Sequence, residues 1–221
     1  IASTDRAHRG DEVDYTLTVA NTGGIAYPEA AYSFDLSDVL DDATLVGDLP
    51  DGVTLVDGTL QASLTLGATT SWQLPVRVRV NDHSTGDDVL WAATVVPGDT
   101  GGSCGACTAV TTIPSYEASI VTDKPMLPYD GTLTYTVTLH GSGTAPYEES
   151  DPVVFTVDLT DGLDDATITG GLPLGATLDG GVLTGSVTLP VAGDRAIAVT
   201  VQRDGASGAA RLLDGSALLR A

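Results

Sequence analysis

The chain has 221 residues and a formal net charge of −21, from 30 acidic side chains against nine Lys and Arg. A surface this acidic cannot neutralise phosphates, which excludes nucleic acid as a partner and disfavours anionic lipid. Hydrophobic residues make up 42% of the chain, enough for a packed core rather than a disordered acidic tail, and no apolar run is long enough for direct membrane insertion.

The chain begins at Ile1 without a methionine and carries no signal or sorting motif, so we read it as a piece of a longer secreted protein. Arg9-Gly10-Asp11 is a turn signal. It is followed by Val13, Tyr15, Leu17 and Val19 alternating with Asp14, Thr16 and Thr18. Period two with threonine outside predicts a half-buried strand. Tyr32-Phe34-Leu36 predicts the next, and DLSDVLDDAT (35–44) predicts one helical turn at a sheet edge. Further strands are expected at Leu60-Ala62-Leu64-Leu66, at Leu74-Val76-Val78-Val80 and, more weakly, at Val89-Trp91-Ala93-Val95, with Trp91 facing the core. The turn signals NTGG, LPDG, VDG and NDHSTGDD separate these runs. Many short strands without intervening helices predict an all-β fold of antiparallel sandwiches.

Cys104 and Cys107 lie in the glycine-rich stretch GGSCGACT. Zinc needs more ligands than the scattered histidines supply, and a redox pair belongs at a helix start. A local disulfide pinning the loop is therefore expected, which suits an oxidising, extracellular setting.

Self-similarity sets the domain plan. DLSDVLDDAT at 35–44 returns as DLTDGLDDAT at 158–167, an offset of 123. Pro50, Gly52, Leu55 and Leu60 match Pro173, Gly175, Leu178 and Leu183, and Val76 and Val78 match Val199 and Val201. Upstream, YTLTV at Tyr15 matches YTVTL at Tyr135 with an offset of 120. This is a duplication. The boundary falls near TTIPSYE and predicts two modules, 1–113 and 114–221. The last stretch, ARLLDGSALLRA, fits poorly against DDVLWAATVVP, leaving an irregular strand and a small hairpin as alternatives for 209–221.

YTLTVANTG, DLSDVLDDATLVGDLPDG, VRVND and a late loop with two cysteines together resemble a family of bacterial repeat domains. These are immunoglobulin-like modules of unknown function, strung in tandem in large cell-surface and secreted proteins, notably of high-GC Gram-positive bacteria. The resemblance implies two tandem Ig-like β-sandwiches acting as stalk or adhesin repeats, packed beside neighbouring repeats of the same protein or fibre. It carries no catalytic residue to transfer.

The best site candidates are Asp35, Asp38, Asp41 and Asp42, with Asp158, Asp161, Asp164 and Asp165. On a continuous helical turn they would share one face and gather carboxylates as a calcium ion needs; the bland alternative is that they cap the turn and face water. Lys124, the sole lysine, raises the idea of a spontaneous isopeptide bond between strands, although Arg6 stands at the matching place in the first copy and cannot serve as nucleophile. The histidines are unrelated in position and no nucleophile-elbow or phosphate-loop motif occurs, so no enzyme is expected. Binding of a surface glycan or protein by loops 22–31 and 142–152 is the remaining functional class.

Overall fold

The computed structural model describes residues 1–83, 86–95, 102–127 and 131–203; the terminal segment 209–221 lies outside them. The described elements are all-β apart from two single helical turns, and every strand pairing is antiparallel. The chain divides into two compact units, Ile1–Pro114 with Gly143–Ala145, and Ser115–Ser142 with Pro146–Ala221.

The first unit holds β1 (Glu12–Ala20), β2 (Tyr27–Asp35), α1 (Val39–Asp42), β3 (Ala43–Leu45), β4 (Val53–Val56), β5 (Thr59–Leu66), β6 (Ser71–Val80), β7 (Val89–Val95) and β8 (Thr108–Thr112). They form two sheets, β1-β6-β3 and β4-β5-β2-β7-β8. The predicted alternation sets the faces. Val13, Tyr15 and Leu17 of β1, with Leu74, Val76, Val78 and Val80 of β6, point inward and meet Phe34, Leu60, Leu90 and Ala92 from the other sheet. Burying each large side chain contributes about 1.5–3 kcal/mol. Pro75 sits inside β6 without breaking it. It opposes Thr16, whose N–H turns away from β6 to the Ile1 carbonyl, so this is a non-hydrogen-bonded pair that needs no donor from proline.

The second unit holds β9 (Tyr116–Thr122), β10 (Thr132–Gly141), β11 (Val153–Asp158), α2 (Thr160–Leu163), β12 (Ala166–Thr169), β13 (Thr177–Asp179), β14 (Val182–Val187) and β15 (Asp194–Arg203). Its sheets are β12-β15-β10-β9 and β11-β14-β13. Its core gathers Leu133, Tyr135, Val137 and Leu139 with Phe155, Val157, Leu183, Val199 and Val201.

The duplication holds strand by strand. β10-β15-β12 repeats β1-β6-β3, and β11-β14-β13 repeats β2-β5-β4. β9 opposes Thr122 to Tyr135, and in the first unit Ala2 bridges to Tyr15 in the same way. One tight turn is also copied. Gly58 and Gly181, both at positive φ, sit where a Cβ would lie 2.7 Å from Ser37 Cα and 2.9 Å from Thr160 Cα. Their carbonyls accept from Leu36 N–H and Leu159 N–H. Glycine is required there by both conformation and space.

One expectation is corrected. Trp91 does not face the core: it is 39% exposed, and its neighbours Leu90 and Ala92 point inward at 0%. The run Val89–Val95 is apolar at nearly every position, so alternation alone could not tell which parity faces in.

Candidate functional site: the two aspartate turns

DLSDVLDDAT follows β2 and closes one end of the first unit. The helical turn spans only Val39–Asp42, so the four carboxylates do not share one face, and each goes its own way. Asp35, the last residue of β2, accepts from the backbone N–H and the hydroxyl of Ser37, at 2.9 and 2.7 Å. Asp38 reaches across to β7, where Oδ2 accepts the Trp91 N–H at 2.9 Å. Pairing of β2 with β7 covers only Ser33–Asp35 against Ala93–Val95, so this carboxylate takes the place of a strand carbonyl beyond the end of β2. Asp41 is exposed; its carboxyl is pushed up by partial burial and by Asp42, Asp38 and Asp87 nearby.

Asp42 is the unusual member. It is 0% exposed, and Oδ2 accepts the Asp88 N–H at 2.9 Å while Oδ1 has no hydrogen-bond partner among the described residues. Gly86 lies against this carboxylate so closely that a Cβ there would fall 2.5 Å from it. The segment before β7 is drawn tight by further contacts. Asp87 accepts from Val89 N–H. Asp88 pairs with Arg9 at 2.5 Å, and burial pushes its carboxyl up against the opposing pull of that guanidinium. Arg9 of the RGD tripeptide is therefore engaged at home, and Asp11 accepts from the His8 N–H.

In the second unit the matching decapeptide makes fewer bonds among the described residues. Asp158 repeats the Asp35 turn, accepting from the Thr160 N–H and hydroxyl at 2.9 and 2.6 Å. The hydroxyl and then the amide hold its carboxyl below the usual range. Asp161 and Asp164 are exposed and Asp165 half-buried. No side-chain hydrogen bond joins these three to another described residue. Gly162 stands at the position of Val39, and a Cβ there would sit 3.1 Å from the Tyr135 hydroxyl.

Among the described residues, no three His, Cys, Asp or Glu side chains are grouped to hold a metal ion. What the turns do in the first unit is accept backbone N–H groups, with Asp38 and Asp42 as staples for β7. The burial of Asp42 was not legible in the sequence. Only Gly86, placed 44 residues away to receive its carboxylate, marks it, and a lone glycine in a loop carries no such message by itself.

Cys104 and Cys107 are joined as a disulfide. The Cys107 carbonyl accepts the Thr94 N–H, so the bridge braces the return from β7 into β8. Lys124 donates to the Thr132 carbonyl at 2.5 Å and lies 3.4 Å from Asp123. Its side chain is 41% exposed, which places it at the sheet margin rather than between buried strands.

No curated protein matches this chain. A family model described as "Domain of unknown function (DUF7927)" matches residues 2–118, which takes in β1 to β8 and the start of β9 and is just over half of the chain. The chain belongs to that domain family.

Proposed function

We propose that the chain is a non-catalytic structural segment of an extracellular bacterial surface protein or fibre, built from two immunoglobulin-like modules in tandem. The observation that carries this reading is how the duplicated acids are used. Asp35 and Asp158 accept local backbone N–H groups, and Asp38 and Asp42 accept those of Trp91 and Asp88 far along the chain, a use of the repeated motif that supports a role in folding. Two separately cored antiparallel units suit load-bearing repeats, whose stability is set unit by unit. High acidity discourages self-association. The disulfide fits an oxidising compartment.

The test is mechanical. Pulled between terminal handles, the chain is expected to rupture in two separate events, each releasing about 35–40 nm of contour for roughly 110 residues. A single low-force event for the whole chain would overturn the reading. Thermal unfolding at matched ionic strength supplies a second check. Coincident curves in calcium, magnesium and EDTA are expected, and a calcium-specific rise would return the aspartate turns to a cation role.

A second reading, a glycan- or protein-binding adhesin segment, is favoured by one observation. Trp91 (39% exposed) and Val110 (44%) stand directly opposite each other on β7 and β8, a flat apolar pair that suits stacking against a sugar ring. Saturable quenching of tryptophan fluorescence by a glycan, lost in Trp91→Ala, would establish it.

A further inference from the structure

We propose that Asp42 and Asp88 form a proton-operated clamp on the segment that leads into β7. In mild acid the pair takes up one shared proton, and it then holds that segment more tightly than at neutral or alkaline pH. The geometry sets two carboxylates against one cation, away from water. Asp42 is 0% exposed and the Asp88 side chain 13%. Arg9 bonds Asp88. No described cation bonds Asp42, whose Oδ1 has no hydrogen-bond partner among the described residues. Ser84 and Thr85, next before Gly86, carry no charge, so a hydroxyl from either would leave the excess of negative charge unchanged.

A buried carboxylate without a counter-charge is costly, and binding a proton lowers that cost. The groups around the pair add to the excess. Asp38 and Asp41 belong to the α1 turn, Asp87 directly precedes Asp88, and His83 stands exposed ahead of them. Burial pushes the Asp88 carboxyl up against the pull of Arg9, and Asp42 and Asp87 push it the same way. The Asp41 carboxyl is raised as well, by burial and then by Asp42. The proton belongs to the coupled pair rather than to either acid alone.

The pair also controls a held piece of backbone. Asp42 Oδ2 accepts the Asp88 N–H at 2.9 Å, and the Asp88 carbonyl accepts the Ile113 N–H at 3.0 Å. Together these bonds hold Asp88 at a φ of 62°, a left-handed conformation that a non-glycine residue keeps only under restraint. Two ionised acids repel across this contact, and one proton removes the repulsion. The folded pair binds its proton more strongly than the unfolded chain does. Its contribution is therefore complete below the unfolded carboxylate pKa of about 3.9 and is lost as pH rises through the higher folded value. Asp158 in the second unit is held below the usual range by Thr160, so it responds in the opposite direction. This proposal does not rest on the load-bearing reading.

The experiment uses the full chain at fixed ionic strength. Urea unfolding is followed from pH 8 to pH 4 by tryptophan fluorescence, since both tryptophans lie in the first unit. Relative to Asp42→Asn, the wild type is expected to gain up to about 10-fold in its folding equilibrium per pH unit of acidification, the slope of one proton. Asp88→Asn should flatten the same slope. In the unsubstituted chain, the Asp88 side-chain carboxyl carbon followed by NMR should titrate above the usual carboxylate range, together with a second acid. An identical pH dependence in wild type and Asp42→Asn would overturn the proposal, as would an Asp88 signal that titrates alone within or below the usual range. So would stabilisation by calcium at neutral pH that Asp42→Asn abolishes, because a metal ion would then meet the charge of the pair. Should Asp42→Asn fail to fold, Asp88→Asn and the NMR titration decide the question.

Discussion

The two copies of one decapeptide show how far a motif's chemistry depends on its neighbours. DLSDVLDDAT and DLTDGLDDAT differ at two positions, yet Asp42 is fully buried and bonded while Asp165 is half-buried and bonds nothing described. The first acid of each copy behaves identically, because its partner lies two residues away in the same segment. The later acids diverge, because their partners in the first unit are Asp88, just before β7, and Trp91 within it, 46 and 53 residues downstream. The same contrast appears on the β1–β6 ladder. Asp14 and Arg77 form a two-pronged ion pair across the strands, and the corresponding positions in the second unit are Thr134 and Thr200, whose hydroxyls lie 3.1 Å apart. A polar cross-strand bond is kept while its chemistry changes, since both pairs stand at one register position of a common ladder.

This comparison can be broken unit by unit, because both tryptophans, Trp72 and Trp91, lie in the first unit. Tryptophan fluorescence reports that unit alone, and far-ultraviolet circular dichroism reports both. The largest effect is expected at the copied glycines. Gly58→Ala and Gly181→Ala each force a side chain onto backbone at positive φ, costing about 2–4 kcal/mol. Gly58→Ala should shift the fluorescence transition and Gly181→Ala only the dichroism. Equal shifts in both signals for either variant would break the picture of two separate units.

Next comes the buried acid. Asp42→Ala strands the Asp88 N–H and should cost the first unit about 1–3 kcal/mol. Asp165→Ala should stay within about 0.5 kcal/mol in the second. Comparable losses would mean that Asp165 has a partner in the folded chain.

The shared turn follows. Asp35→Ala is expected to cost about 1 kcal/mol, and Asp158→Ala acts in the same direction. The acid dependence has a defined sign. The Asp158 carboxyl is held below its usual value by Thr160, so its stabilisation is complete above the unfolded pKa and fades as pH falls through the lower folded one. Asp158→Asn should remove that part of the acid-side loss in the dichroism-detected transition. An unchanged acid limb would show that the turn does not hold the charge.

The smallest effect is Arg77→Ala, because the pair with Asp14 is half exposed and screened by solvent. It should shrink further in high salt. Thr200→Ala in the second unit should show no such salt dependence.

Much of this protein was determined by sequence alone. The duplication, the strands with threonine on their outer face, the single helical turns and the local cysteine pairing all rest on neighbours within a few residues or on a strict period of two, so they could be read without a fold. Tertiary structure decided the remainder. Trp91 turned outward because an all-apolar run carries no parity until a sheet assigns its faces. The eight aspartates did not converge, because one turn of helix is too short to align positions 35 to 42. Asp42 became a buried staple because Gly86 and the Asp88 N–H arrive beside it from a distant loop. A carboxylate's role is set by the donors that reach it, and in an antiparallel sandwich those donors come from strands far along the chain.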